Sequence, residues 1–174
     1  LTFSNSSQID WYTDRYQVSK KDCTVVPNFV DPSEIREVQP HSYDASFFNI
    51  VHLGNLYGIR SPKGVLSGIE MLPKGVKDEV KMHFVGQTSG FDEMFGKYDL
   101  DNTVVSMPRV PHSEAIARGK GSDALLLIDA PVRPSPFLPM KLIEYLFMNN
   151  PIIGATPKRG TAADVIRSSE SGVI

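Results

Sequence analysis

The most informative stretch of the chain places a glutamate inside a short helix that joins a loop to a strand. Pro139 suits a first helical turn, and Leu142 and Tyr145 recur at helical spacing. The Asn-Asn-Pro run at 149–151 then ends the helix before an apolar strand. Glu144 lies on this helix, where its carboxylate can accept from two neighbouring hydroxyl groups, each bond contributing roughly 1.5 to 3 kcal/mol when water is excluded. A solvated helical glutamate is the competing interpretation.

A glycine turn supplies a second chemical feature, which suits an anion. Gly54 follows an apolar strand, and the residues after it lead into a helix whose first amide groups attract negative charge. Arg60 would add a cation to this turn. Lys63, one turn further into the helix, is either a second cation for this anion site or an ordinary surface lysine. The turn lacks the three-glycine pattern of dinucleotide-binding folds, so alone it indicates only a generic strand-to-helix connection.

Alternating strands and helices must position these residues. The sequence predicts strands at 48–53, 80–85, 103–106, 124–129 and from 152 onward, and helices at 62–72, 89–96, 112–118, around Glu144 and at 161–167. This alternation predicts a Rossmann-like, doubly wound α/β domain with a mainly parallel sheet covered on both faces. Ligands bind outside the carboxyl ends of such strands, so we expect the site in the loops at 54, 86, 107–111 and 130–139.

The first 46 residues are organised differently. Residues 5–17 favour a helix capped by Asn5 or Ser6, and 24–28 predict a short strand that runs into a turn. Prolines and a lack of periodicity indicate a loop at 29–46. We therefore divide the chain into an N-terminal helix, strand and linker at 1–46 and a Rossmann-like domain at 47–174. Because it opens without methionine and ends where a strand is starting, we expect it to be part of a longer protein.

Composition excludes several classes of function. The 174 residues carry a net charge of −2, so no basic surface for nucleic acid is expected. With 41% hydrophobic and 22% charged residues, the chain suits one well-buried domain. Its longest apolar runs have the length of strands, so no membrane span or secretion signal is predicted. The single cysteine, Cys23, has no partner for an internal disulfide, which agrees with a reducing compartment such as the cytoplasm.

Several short motifs occur in a fixed order along the chain. They are VPN at 26–28, GNLYGIR at 54–60, FVG at 84–86, VPHSEA at 110–115, SDALLLI at 122–128 and PMKLIEY at 139–145. This ordered set resembles the C-terminal, nucleotide-sugar-binding half of GT-B glycosyltransferases of family 4, also called group 1. No single motif is specific to that family, but their order is, and the resemblance covers nearly the whole chain.

The resemblance implies a role for each matched residue. Glu144 matches the helix glutamate that holds the ribose hydroxyls of a nucleotide-diphosphate sugar donor. Gly54 matches the glycine of the family's G-R-L-x-x-x-K turn, which holds the donor diphosphate, with Asn55 in place of the arginine and Arg60 in place of the lysine. Lys141 is expected to face the diphosphate or the donor. We therefore take Arg60 and Lys141 as the catalytic cations, which would stabilise the departing diphosphate without a metal cofactor.

The remaining expected contacts come from loops. The loop with Val110 and Pro111 is expected to cover the base, and the loop that ends at Leu138 and Pro139 to present amide groups to the sugar. Many family members carry a glutamate where this chain has Pro136, so the base, the sugar and the acceptor stay open. The resemblance implies retaining hexosyl transfer, completed by an N-terminal acceptor domain of the same protein. By analogy, the setting is polysaccharide or lipopolysaccharide synthesis in the cytoplasm, at the inner membrane face.

Other polar residues have structural interpretations. Asp99 and Asp101 match the D-x-D pattern of metal-dependent transferases with a different fold, but they lie in a polar loop, and no bound metal is expected. His52 and His83 lie in predicted strands, where hydrogen-bonded core histidines are favoured. His112 is expected to start a helix rather than to take part in catalysis.

Two other classes of function suit the same fold. A nucleotide-sugar epimerase or phosphorylase-like enzyme would need an acid/base carboxylate or histidine facing the sugar, and Pro136 argues against it. A noncatalytic Rossmann-like binding module would bind no nucleoside diphosphate. Nucleotide binding therefore separates the module from both enzymes.

Overall fold

The computed structural model describes residues 1–88, 90–98, 100 and 103–174. Its strands are β1 (Thr2–Phe3), β2 (Thr24–Val25), β3 (Phe48–Leu53), β4 (Val80–Val85), β5 (Val104–Met107), β6 (Ala124–Ile128), β7 (Ile152–Ala155) and β8 (Gly172–Val173). Its helices are α1 (Ser6–Thr13), α2 (Pro32–Arg36), α3 (Lys63–Glu70), α4 (Lys74–Lys77), α5 (Asp92–Phe95), α6 (His112–Gly121), α7 (Met140–Met148) and α8 (Thr161–Ser168), with a 3₁₀ turn at Lys20–Asp22. None of these helices is long and apolar enough to span a membrane.

The larger sheet formed by the described residues is entirely parallel. Its strands lie in the order β5-β4-β3-β6-β7-β8. The chain moves outward from β3 to β4 and β5, and then returns to the other side of β3 to form β6. The order therefore reverses between β3 and β6, and the crevice at their carboxyl ends is the usual ligand position in such a sheet. The predicted Rossmann-like α/β fold is confirmed.

Alternating residues of the central strand β6 bury both faces of this sheet. Leu125 and Leu127 pack with residues of α6, α7 and α8, whereas Leu126 and Ile128 pack with residues of α3. Every residue of β6 is buried, as expected for a parallel strand that is covered on both sides. The faces of the sheet are filled with side chains, which leaves the strand ends for function.

Most of the predicted elements from residue 47 onward are present. Strands β3 and β4 have the predicted bounds, and the third predicted strand lies one residue later, at Val104–Met107. Helix α6 continues past its predicted end at Arg118 to Gly121. The helix predicted at 89–96 is observed at Asp92–Phe95, and Ser89 lies outside the described residues.

The loop predicted at 29–46 is wrong in part, because helix α2 forms within it. Asp31 caps this helix by accepting from the Ser33 amide at 2.9 Å. Ile35 is only 2% exposed and packs in the same core cluster as α6 and α7. Lys120 of α6 donates to the Ile35 carbonyl at 2.9 Å, which satisfies a free acceptor at the helix end. A helix this short shows no sequence period and depends on such tertiary contacts.

The first residues form a second, smaller unit. Strands β1 and β2 pair in parallel with each other and form a separate two-stranded sheet. Asn5 caps α1, as predicted, by accepting from the Gln8 amide at 3.1 Å, but the helix ends early, at Thr13. The predicted strand is also shorter and covers Thr24–Val25. Asn5 donates to the Pro136 carbonyl at 3.0 Å, which attaches this unit to the loop before α7.

The substitution Ile35→Ala tests whether α2 is part of the core. Removing this buried side chain should lower the free energy of unfolding by about 2 to 4 kcal/mol, as measured by urea denaturation. Phe29→Ala is the control, because Phe29 is 78% exposed, and it should change the value by less than about 0.5 kcal/mol. Equal losses in the two variants would contradict the packing of α2 into the core.

Candidate functional site

Strands β3 and β6 separate before their carboxyl ends. Their last paired residues are Val51 and Leu125, although β3 continues to Leu53 and β6 to Ile128. By contrast, β3 and β4 remain paired to their final residues. The separation lies at the point where the strand order reverses, and a sheet of this type binds ligands at such a point, outside the carboxyl ends of its strands.

The hydroxyl group of Tyr145 bridges the two separated strands. It accepts from the Leu53 amide at 2.9 Å and donates to the Leu126 carbonyl at 3.3 Å. The side chain is fully buried, and burial raises the pKa of its hydroxyl, which therefore stays protonated and able to donate. Because the Leu53 amide would otherwise lack this partner, Tyr145 links the two strands and anchors α7 to both of them.

His52 connects the sheet to the beginning of α7. Its Nδ1 atom lies 2.9 Å from the Leu126 carbonyl oxygen, which can only accept, so Nδ1 carries the proton and Nε2 is an acceptor. Lys141 Nζ lies 3.2 Å from Nε2 and donates to it. His52 is fully buried, and burial, followed by the Lys141 charge, lowers the pKa of the imidazole to about 3. The imidazole is therefore neutral at neutral pH.

The Lys141 ammonium lies in the crevice without a close counter-ion. No ion pair joins it to a carboxylate in the described part of the chain. Burial and then the Arg60 charge lower the pKa of Lys141 to about 8, and the Glu144 charge opposes this shift. Gly54 has a φ of +92°, and a Cβ on it would lie 3.2 Å from Nζ, so glycine lets the ammonium approach the turn. A partly buried cation of this kind is suited to bind an anion.

Glu144 lies one helical turn after Lys141 on α7. Its side chain is 19% exposed, and its Oε1 atom accepts a 2.9 Å hydrogen bond from His112 Nε2. His112 is the first residue of α6, as predicted, but its contact with Glu144 was not predicted. In the described structure Oε2 has no protein partner, so it can accept a hydrogen bond from a ligand.

These groups line one cleft of about 290 Å³. Its walls are the turns after β3 and β4, the loop before α6 and the first turns of α6 and α7. The two turns pack tightly, since a Cβ on Gly86 would lie 2.6 Å from the Gly54 carbonyl carbon. Of the residues selected from the sequence, the cleft is lined by Gly54, Asn55, Val110, Lys141 and Glu144.

Arg60 borders this cleft rather than lining it. Its guanidinium lies 3.9 Å from Asp129 Oδ1 and sits over the rings of Tyr57 and Phe137, with centroid distances of 5.1 and 5.7 Å. It is near enough to Lys141 to contribute to the lowered pKa of that ammonium. Arg60 therefore has a carboxylate at 3.9 Å, whereas Lys141 forms no ion pair in the described part of the chain.

The other selected residues are used mainly for local structure. Asn55 Oδ1 accepts from the Gln87 amide at 2.9 Å, so its side chain joins two turns. Pro111 and Pro139 directly precede α6 and α7, and the Leu138 carbonyl accepts a side-chain hydrogen bond from the N-terminal region. In the described structure the residues that line the cleft do not include Pro111, Leu138 or Pro139.

The contacts of the histidines and of Tyr145 were not predicted from the sequence. The interpretation of His52 as a hydrogen-bonded core histidine is confirmed, but its contact with Lys141 is additional. His83 is hydrogen-bonded to Asn49 at 3.0 Å and is only half-buried. The only sequence signal for His52 was its position just before the glycine turn.

Asp99 and Asp101, the D-x-D pair, lie outside the described residues. Among the residues that the structure describes, no group of three or more His, Cys, Asp and Glu side chains could hold a metal ion.

Solved structures of glycosyltransferases share this fold. The chain is similar to WaaG, a glycosyltransferase involved in lipopolysaccharide biosynthesis, with a TM-score of 0.74 and 16% identity over 99% of this chain and 48% of WaaG. It is also similar to the lipopolysaccharide outer core galactosyltransferase WaaB, with a TM-score of 0.62 and 18% identity over 99% of this chain and 54% of WaaB. For HepE from Anabaena in complex with UDP-glucose, the TM-score is 0.56 and the identity 14%, over 87% of this chain and 48% of HepE.

At these identities the comparison establishes the fold, which is that of one Rossmann-like half of these glycosyltransferases. The chain spans about half the length of the three proteins. No protein-family profile matches the sequence, and neither does any curated protein.

The substitution Tyr145→Phe tests the bridge between β3 and β6. It keeps the ring but leaves the Leu53 amide buried without its partner, so the free energy of unfolding should fall by about 1 to 3 kcal/mol. Tyr16→Phe is the control, because Tyr16 is 54% exposed. If urea denaturation gives the same stability for both variants, the bridge does not stabilise the fold.

Proposed function

We propose that the chain is the nucleotide-sugar-binding half of a glycosyltransferase of family 4, or group 1, which transfers a hexosyl group with retention of configuration. One observation carries this proposal: Lys141 and Glu144 lie one helical turn apart and line the same cleft as the Gly54 turn. A cation and a carboxylate so placed suit a ligand with a diphosphate beside a ribose. The fold shared with glycosyltransferases, one of them bound to UDP-glucose, supports the proposal.

Lys141 is proposed to bind the diphosphate of the donor. When the bond to the sugar breaks, the departing diphosphate gains negative charge, so a cation already in place stabilises the transition state more than the ground state. Arg60 is proposed as the second cation, because its 3.9 Å separation from Asp129 is a loose contact. Both charges belong to the protein, so the proposed reaction uses no metal cofactor.

Glu144 is proposed to bind the ribose through Oε2, while His112 holds Oε1. Val110, in the wall of the cleft, is proposed to cover the base together with the adjacent Pro111. Leu138 and Pro139 lead into the first turn of α7, whose free amide groups are proposed to face the donor.

A second domain of the same protein is proposed to complete the site and to bind the acceptor. Strands β1 and β2 form a two-stranded pair in the described structure, and such pairs are barely stable alone. Exposed apolar side chains lie close by in sequence, including Val26 and Phe29, which are 55% and 78% exposed. We propose that the acceptor domain packs here, and that the full protein acts in polysaccharide synthesis at the cytoplasmic face of a membrane.

Calorimetric titration of the chain with UDP, ADP and GDP tests the proposed function. We expect modest binding of at least one of them, because half of a two-domain cleft cannot close around the ligand. EDTA should not weaken it, because Lys141 and Arg60 supply the positive charge. Binding that requires Mg²⁺ would contradict these roles and would favour a metal site at Asp99 and Asp101. Failure of all three to bind would favour a noncatalytic binding module.

The substitution Glu144→Gln tests the ribose contact. It keeps the side-chain shape but removes the charge, so it should weaken a ribonucleoside diphosphate by about 1 to 3 kcal/mol more than the 2′-deoxy analogue. Glu70→Gln makes the same chemical change at an exposed position outside the cleft and should leave both affinities unchanged. Equal weakening of the two nucleotides by Glu144→Gln would exclude a specific ribose contact.

The lowered pKa of Lys141, about 8, predicts how diphosphate affinity depends on pH. The free side chain is an ammonium below this pH and an amine above it, and a bound diphosphate favours the ammonium. Affinity should therefore fall above pH 8, by up to about tenfold per pH unit. Titrations between pH 7.5 and 9.5 would measure the decline.

Lys141→Arg is the control for this pH profile. Arginine stays charged throughout the range, so the decline should disappear. Glu144 and His112, which line the cleft, are present in both proteins, as are Arg60 beside the cleft and His52, which contacts Lys141. A decline that persists in Lys141→Arg would assign the titration to a group other than Lys141.

A further inference from the structure

We propose that His52 is a positioning residue for nucleotide binding, whose buried imidazole holds the Lys141 ammonium over the Gly54 turn through its Nε2 atom. The inference rests on the proposed role of Lys141 as a diphosphate-binding cation. His52 itself would touch no substrate.

Contacts with strands β4 and β6 fix the position of the His52 imidazole. The Leu126 carbonyl accepts from His52 Nδ1 at 2.9 Å and from the Tyr145 hydroxyl at 3.3 Å. The ring of Phe84 packs against the imidazole, with 5.8 Å between the ring centroids. With Nδ1 committed to the carbonyl, Nε2 faces Lys141 as an acceptor at 3.2 Å.

A neutral hydrogen-bond acceptor can restrain the Lys141 ammonium and keep its charge available for a ligand, which a carboxylate could not do. Lysine has a long, flexible side chain, and holding it in one conformation costs side-chain entropy. A carboxylate would hold the ammonium but would also neutralise its charge. The imidazole holds the ammonium without neutralising its charge. The lowered pKa of His52, about 3, keeps the imidazole uncharged across the physiological range.

Two variants of His52 separate its two hydrogen bonds. In His52→Asn the side-chain amide can still donate to the Leu126 carbonyl, but no atom reaches Lys141. In His52→Gln the longer side chain places its oxygen near the position of Nε2, where it can accept from the ammonium. UDP is the probe, because the similar protein HepE forms a complex with it, and uridine is the matched ligand without the diphosphate.

We expect His52→Asn to weaken UDP binding by roughly tenfold and uridine binding by less than twofold. His52→Gln should recover most of the lost UDP affinity. In a Lys141→Met background, His52→Asn should have no further effect, because the group that it positions is gone. A purely structural role would lower the melting temperature and weaken both ligands together.

UDP affinity unchanged in His52→Asn, an equal loss for UDP and uridine, or an undiminished loss in the Lys141→Met background would each overturn the inference. If the parent chain does not bind UDP, the proposed function fails for that nucleotide. A measurement without ligand then tests whether His52 holds the Lys141 ammonium. NMR titration of the Lys141 side chain, assigned by its absence in Lys141→Met, should then give a lower pKa in His52→Asn than in the parent. Equal pKa values would overturn the inference.

Discussion

The separation of β3 and β6 is the feature on which the rest of the site depends. Once the two strands stop pairing after Val51 and Leu125, their backbone groups need other partners, because buried amides and carbonyls are seldom left unpaired. Tyr145 and His52 supply them, and both contact the same Leu126 carbonyl. Tyr145 belongs to α7, so its two hydrogen bonds also attach the helix that carries Lys141 and Glu144 to both strands.

The site departs from ordinary packing where function is proposed. Gly54 has a backbone conformation that side chains disfavour, and Lys141 is half-buried without a carboxylate partner. Such local departures are expected where a protein has kept a binding site at some expense of stability. The buried hydroxyl and imidazole limit this expense, because each satisfies backbone groups while it positions a helix or a cation.

Local pattern predicted the elements of the sheet but not the contacts between them. The bounds of β3 and β4 followed from apolar runs closed by glycine, and the helix that carries Glu144 from its spacing and its terminal residues. Helix α2 was missed because its stability comes from Ile35 in the core and from Lys120, about 85 residues away. The same limit applies to the site. The pairs His52 with Lys141, His112 with Glu144 and Arg60 with Asp129 all join distant parts of the chain, and no local sequence signal encodes which partner each one meets.

The arrangement of charges narrows the kind of ligand that suits the cleft. Lys141 needs an anion, whereas the free oxygen of Glu144 needs a hydrogen-bond donor and would repel an anion. Inorganic phosphate satisfies the first requirement only, and a plain sugar satisfies the second only. A nucleoside diphosphate carries both groups a short distance apart, with its phosphates on one side of a ribose whose hydroxyls can donate. The sign of the two charges, and their separation by one turn of α7, therefore agree better with the proposed ribonucleoside diphosphate than with either of its parts.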